Sequence, residues 1–167
     1  NIVEKICDTL IKAGSTFLAD KKKAYVQAIN KESNPRAKWV LQTVLQNAEV
    51  AEKVRCPLCD DTGIPHILIE VGPNAVLTGN IIESIKEGVR QGLRKLPGRP
   101  MAVKGSAVQR ISQSEGLYED PGMLDPAPIL IRNTDEELLK VHILMFGGGP
   151  AIRAHTYRVF HQHKVDA

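Results

Sequence analysis

Residues Cys56 to Gly63, reading CPLCDDTG, place two thiols three positions apart beside two carboxylates, a hydroxyl and a glycine. Thiols at this spacing serve as half of a zinc site, as a redox dithiol, or as one working sulfur with an incidental neighbour. A structural zinc site needs four ligands, and the chain has no second CxxC and no HxxxH; His161 and His163 are only two apart. A thioredoxin-type dithiol opens a helix whose N-terminus favours the thiolate, whereas this pair precedes a strand-like run. Asp60, Asp61 and Thr62 also have the composition of a capped turn leading into a strand. Cys7 falls on the apolar side of a helical pattern and reads as a packing thiol. His142, in a later apolar run, reads as a satisfied core or edge histidine.

The elements that must hold this turn follow from periodicity. Ile2, Val3, Ile6, Leu10, Ile11 and Ala13 recur at helical spacing within Asn1 to Ala19, and Lys21 to Lys31 continues in helix-compatible residues. Ser33-Asn34-Pro35 supplies a stop, a cap and a first-turn proline, so a long helix is expected from Pro35 to about Lys53, with Trp39, Val40, Val44, Leu45 and Ala48 as its buried stripe and Asn47 turned away. His66 to Gly72 is a β-branched run bounded by Pro65 and the Gly72-Pro73-Asn74 turn, and it predicts a buried strand. Asn80 is placed to cap a helix from Ile81 to about Leu93. Leu96 to Pro128 reads as a long surface loop of the kind that carries function. Ile129 to Asn133 and Lys140 to Gly149 read as the strands of an antiparallel hairpin, and Pro150 to Lys164 as a further helix. The fold class is therefore α+β, with N-terminal helices packed on a small, mostly antiparallel sheet.

At 167 residues and 43% hydrophobic content, the chain can bury the core of a single domain, taken as residues 1–167. The 22 Lys and Arg against 19 Asp and Glu are spread along the chain and aromatics make up only 4%, which leaves no electrostatic or stacking footprint for nucleic acid. No apolar run approaches the roughly 20 residues of a membrane span, and no leader pattern precedes Asn1, so a cytoplasmic protein without a membrane partner is expected. An odd count of three cysteines argues for reduced thiols. The chain starts without an initiator methionine and reads as trimmed.

The context of the cysteine pair is more specific than the pair. The segment NAEVAEKVRCPLCDDTGIPHILIEVG resembles a signature of the class I fumarases and the related tartrate dehydratases, the iron–sulfur hydro-lyases. Asn47-Ala48-Glu49-Val50-Ala51 matches the end of the family's helix, and Pro57-Leu58-Cys59-Asp60-Asp61-Thr62-Gly63 matches its site motif. Ile81 to Leu93, with Glu87-Gly88-Val89-Arg90, resembles the next helix. Asp125-Pro126-Ala127-Pro128-Ile129-Leu130 resembles the family's Asp-Asn-Thr-Pro-Ala segment, and Gly147-Gly148-Gly149 falls where it carries a glycine triplet. By this resemblance Cys59 is a metal ligand of a [4Fe–4S] cluster, and Asp61 and Thr62 are catalytic residues lining the substrate pocket, with Asp60 beside them. Arg99, with Arg94 in reserve, clamps a substrate carboxylate, and Gly148 offers it a backbone amide. The implied reaction is reversible dehydration of a small hydroxy-di- or tricarboxylate, of fumarate/malate or tartrate type. The implied partner is a β-type domain or subunit, and self-association into a homo-oligomer is compatible with the pattern.

Three departures mark the chain within this resemblance. Asp60 stands where the family has glutamine, and an ionised carboxylate cannot donate a hydrogen bond and repels a dicarboxylate. Pro150 stands in place of Ser-Glu. The family's other two cluster cysteines lie beyond the glycine triplet, so the chain is expected to be an N-terminal fragment of the α-type domain, inactive alone and with an incomplete ligand set. The competing expectation is a non-catalytic scaffold or metal-binding module that kept this fold.

Overall fold

The computed structural model describes residues 1–59, 63–96, 102–112, 114–124 and 126–147. Three helices come first: α1 (Ile2–Ser15), α2 (Ala19–Lys31) and α3 (Pro35–Val54). Asn1 caps α1 by accepting from the amide of Val3, and Asn34 caps α3 by accepting from those of Arg36 and Ala37, with Pro35 at the first helical position as its fixed φ favours. Thr16 to Leu18 divide what the sequence suggested as one helix through Ala19. Strand β1 (Ile64–Val71) follows, then α4 (Gly79–Lys95), the short helix α5 (Ala107–Ser112), a 3-10 turn at Pro121–Met123, and strands β2 (Leu130–Asn133) and β3 (Leu139–Phe146). The N-terminal cap of α4 is Thr78, whose hydroxyl accepts from the amide of Ile81, and Asn80 lies inside the helix instead of capping it. The 96–128 region is less irregular than its composition suggested: α5, the 3-10 turn and a bridge between Val103 and Leu117 give it structure.

The α+β architecture expected from the sequence is present, and the strand order is β2-β1-β3. β1 pairs antiparallel with β3 from Ile64 opposite Phe146 to Val71 opposite Leu139, and parallel with β2 from Leu68 opposite Leu130. β2 and β3 therefore do not form the expected hairpin, because β1 lies between them. The reason is local. The amide of Thr134 donates to Val71 and that of Gly72 to Leu138, so the 134–138 connection passes over the end of β1. A Cβ on Gly72 would lie 2.1 Å from the carbonyl oxygen of Glu136, and only glycine permits this crossing.

The core is a helical layer on one face of the sheet. Ile6, Cys7, Leu10 and Ile11 of α1 and Ile85, Val89 and Leu93 of α4 pack on Ile67 and Ile69. α1 and α4 run in the same direction, since Gly88 meets Ile6 and, one turn on, Gly92 meets Leu10. Cys7 is buried among these residues, as its pattern predicted. The stripe predicted on α3 is buried only at its later end: Ala48 is buried and Leu45 half-buried, whereas Trp39 is 63% exposed and Val40 and Val44 are exposed. The pattern is amphipathic, but α2, which packs beside α3, has no buried residue of its own. Among the described residues no helix is long and apolar enough to cross a membrane.

Candidate functional site

The cysteine-bearing turn is anchored just before the chemistry begins. Arg55 ends α3 in the left-handed region at φ 56 and its guanidinium donates to Asp8 on α1 at 2.9 Å. The amide of Cys56 donates to the carbonyl of Ala51 at 3.0 Å, and that of Leu58 to the carbonyl of Gly14, near the end of α1, at 3.0 Å. The side chain of Asn47, turned out of the core as expected, donates to the carbonyl of Leu58 at 3.0 Å. Leu58 is thus tied to α1 and α3 together. Cys59 follows at the surface, exposed, whereas Cys56 is half-buried. On the far side of the turn Gly63 takes φ 72, a conformation that suits glycine and lets the chain swing into β1. Of the other site residues expected from the sequence, Asp60, Asp61, Thr62, Arg99 and Gly148 lie outside the described residues, as do His155, His161, His163 and the helix expected over Pro150 to Lys164. Arg94, the reserve carboxylate clamp, is engaged: it grips Asp120 through Nε and Nη2 at 2.8–3.2 Å. That pairing holds the Asp120 carboxyl below its ordinary range, helped by the amide of Gly122, and ties α4 to the 3-10 turn.

The fold brings the described ends of the matched segments to one end of the sheet. β1 starts directly after the cysteine turn. Its first residue, Ile64, lies opposite Phe146, the last residue of β3 before Gly147. The parallel pairing puts the start of β2 on the same side, and the amide of Ala127 donates to the carbonyl of Pro65 at 3.2 Å. The parallel run of α1 and α4, continued from Ile6–Gly88 and Leu10–Gly92, sets Leu96 level with Gly14, where Leu58 docks. The described segments that end at Cys59, Leu96, Leu124 and Gly147 therefore lie toward the same end of the domain. Four segments separated by up to about ninety positions in the chain converge there through strand register and helix direction.

The other end of the sheet carries a polar cluster that sequence reading did not single out. Glu70 on β1, with a side chain only 9% exposed, accepts from Arg132 of β2 through Nε at 2.9 Å and Nη2 at 2.5 Å, and pairs with His142 Nε2 of β3 at 2.5 Å. Lys140 is 3.9 Å away. Bonding to Arg132 first, and to His142 next, lowers the pKa of Glu70 to about 2 against the opposing effect of burial. One carboxylate thus joins all three strands, and His142 is the satisfied edge histidine its sequence setting suggested. The available signal was strand parity, because Glu70 faces Arg132 and Lys140 across the ladder.

Whether the chain fits an iron–sulfur cluster turns on its donors. Among the described residues no three His, Cys, Asp or Glu side chains gather at one place. Cys7 is buried and Cys56 half-buried, while Cys59 is exposed. One exposed thiol suits at most a single ligand position, and the described residues do not complete a set.

The fumarate hydratase (fumerase) family profile matches residues 3–167. A Methanocaldococcus jannaschii protein assigned as the alpha subunit of L(+)-tartrate dehydratase is 35% identical over 68% of this chain and 42% of its own length. A Geobacillus stearothermophilus protein assigned as a class I fumarate hydratase is 23% identical over 89% of this chain and 27% of its own length. The chain spans less than half of either relative. A match over nearly every residue, on a scaffold that gathers the segments carrying the resemblance, leads to one conclusion: this chain belongs to the fumarate hydratase family.

Proposed function

We propose that the chain forms part of an iron–sulfur-dependent hydro-lyase that reversibly removes water from a small hydroxy-di- or tricarboxylate. The observation that carries this reading is the convergence of the Cys59 turn with the approaches to Asp125, Arg99 and Gly148 at one end of the sheet. Cys59 provides one thiolate to a [4Fe–4S] cluster. Bound there, the cluster supplies a Lewis-acidic iron for the substrate hydroxyl. The chain's own residues orient the acid. Arg99 grips one carboxylate through its two-pronged guanidinium, and the amide at Gly148 approaches another. Thr62 hydrogen-bonds the substrate, and Asp61 holds or moves a proton as the C–H and C–OH bonds break. Asp60 in place of the family's glutamine adds negative charge to the rim and shifts preference among hydroxy acids.

The domain is the N-terminal part of a longer α-type unit, inactive by itself and completed by a β-type domain or subunit, as the alpha-subunit assignment of the archaeal relative suggests. The test is anaerobic purification of the complete protein with that partner, followed by iron and sulfide analysis and assay of water loss from malate and tartrate. Cluster content that disappears with Cys59→Ser, together with dehydratase activity, supports the proposal. Absence of iron after reconstitution ends it.

A further inference from the structure

Among the described strands β3 is an edge of the sheet, and the hydrogen-bond parity of β1 fixes which of its backbone groups face outward. Pro65 and Val71 present their carbonyls on the β2 side, to the amides of Ala127 and Thr134, so the odd-numbered residues of β1 turn their main chain toward β2. The even-numbered ones turn toward β3, where His66, Leu68 and Glu70 lie opposite Leu144, His142 and Lys140. In an antiparallel ladder such pairs exchange both bonds, and the residues between them point the other way. Val141, Ile143 and Met145 therefore direct their N–H and C=O groups away from β1, over the outer edge of the sheet. Their side chains pack against the core, and neither a proline nor a bulge interrupts the strand to blunt this edge.

A groove of about 530 Å³ runs beside this edge, bordered by Ile143 to Met145 on one side and by the end of α1 and its link to α2 on the other. The opposite wall is held in place. Phe17 meets Tyr25 edge-on with 5.4 Å between ring centres, and the amide of Leu58 donates to the carbonyl of Gly14. With Ala13 and Leu18, these side chains give the groove an apolar lining. Lys12 and Lys21 also line it, and neither enters an ion pair among the described residues, whereas their neighbour Lys22 is held by Glu52. Together these groups select one occupant. Outward donors and acceptors at every second residue match an extended backbone, the apolar wall takes its alternate side chains, and the two ammonium groups favour carboxylates on it. A second copy paired through the same edge would bring lysines toward lysines.

We propose that the outer edge of β3 binds an extended acidic segment of a partner protein by strand addition, its backbone on Val141, Ile143 and Met145, its apolar side chains in the groove and its carboxylates at Lys12 and Lys21. The site does not rest on the dehydratase reading. The test titrates the 167-residue chain with a short peptide that alternates valine with threonine between two terminal glutamates, following backbone amide shifts and amide exchange. Saturable shifts at Val141 to Met145 and along the groove are expected, with slower exchange of the Val141, Ile143 and Met145 amides. Peptides N-methylated at the valines or at the threonines separate the two edges of the added strand, and only one of the two versions should bind. Lys12→Glu with Lys21→Glu should weaken binding about tenfold, and a lysine-ended peptide should then bind better than the glutamate-ended one. Both lysines are exposed, and an unchanged far-UV spectrum verifies folding of the variant. Absence of binding, shifts elsewhere in the molecule, indifference to the lysine substitutions or to both N-methylations, or outward amides already protected without peptide overturn the proposal. So does a concentration-dependent dimer that protects the same amides, which would assign the edge to a second copy.

Discussion

Gly88→Ala tests how α4 is seated against α1. The methyl group would meet the Cβ of Ile6 at 2.6 Å, its Cγ2 at 2.8 Å and the carbonyl oxygen of Val3 at 2.8 Å. No rotamer change moves a Cβ or a backbone carbonyl, so α1 and α4 must separate by roughly 0.6–0.8 Å to reach ordinary tight contact near 3.4 Å. Overpacking against a Cβ and a carbonyl, neither of which can turn aside, belongs at the upper end of its usual cost, about 2–3 kcal/mol. Opposing it, alanine gains about 1 kcal/mol over glycine in a helix interior. The net expectation is destabilisation of about 1–2 kcal/mol, or a Tm lower by about 2–8 °C for a chain of this size. Two other glycines calibrate it. At Gly92 the approach is looser, with Leu10 Cβ and Cδ2 at 3.0 Å and the Cys7 carbonyl oxygen at 3.3 Å, so Gly92→Ala should cost less than Gly88→Ala. At Gly79 nothing lies within 4 Å, and Gly79→Ala should be neutral or stabilising. Urea unfolding followed by circular dichroism measures all three. A Gly88→Ala protein as stable as the parent would mean that the helices do not touch as described.

Other consequences are read with similar tools. Leu10, with no exposed surface, anchors the α1 side of the core, and Leu10→Ala should cost about 2–5 kcal/mol in denaturant unfolding. Thr78→Ala removes the α4 cap and should cost about 0.5–2 kcal/mol, whereas Asn80→Ala should cost much less. Glu70 has a folded pKa of about 2 against 4.5 without its partners, so between those values the unfolded state binds the extra proton; its stabilisation is complete above about pH 5 and is lost as the pH falls toward 2. Glu70→Gln should therefore flatten the stability profile between about pH 5 and pH 3, and an unchanged slope would refute the network. Iodoacetamide should alkylate Cys59 in the folded chain and Cys7 only after unfolding, as peptide mass analysis will show.

The sequence reading succeeded where one local signal decided the outcome. Asn34-Pro35 started a helix because a capping amide and a fixed φ both act within three residues, and His66 to Val71 formed a strand because β-branched residues lay between clear stops. It failed where the answer depended on a distant partner. Trp39, Val40 and Val44 have the spacing of a core stripe, but periodicity states which residues share a face and not whether another element covers it. The two late strands looked like a hairpin because adjacency in sequence is the usual prior; the insertion of β1 between them depends on the Gly72 crossing, a contact made with Glu136 and Leu138. For the site, the thiol spacing and the turn composition were legible, and the roles of Cys59, Asp60, Asp61, Thr62, Arg99 and Gly148 entered only through resemblance.

The two ends of β1 divide the work, one fixing the register and the other carrying the loops. At the far end, Glu70 fixes the strand register through Arg132 and His142, and a slip of one residue would turn Ile67 and Ile69 out of the core. That register, set about six residues away from the cysteine turn, determines where Ile64, Phe146 and Ala127 meet, and hence where the loops leading to the proposed site leave the scaffold. The loops themselves are tied through backbone groups at Leu58, Pro65 and Ala127, with Asn47 adding a side-chain bond to the carbonyl of Leu58. The described loop ends are thus held by the scaffold, and loss of Glu70 or of Gly72 is expected to loosen the register that places them.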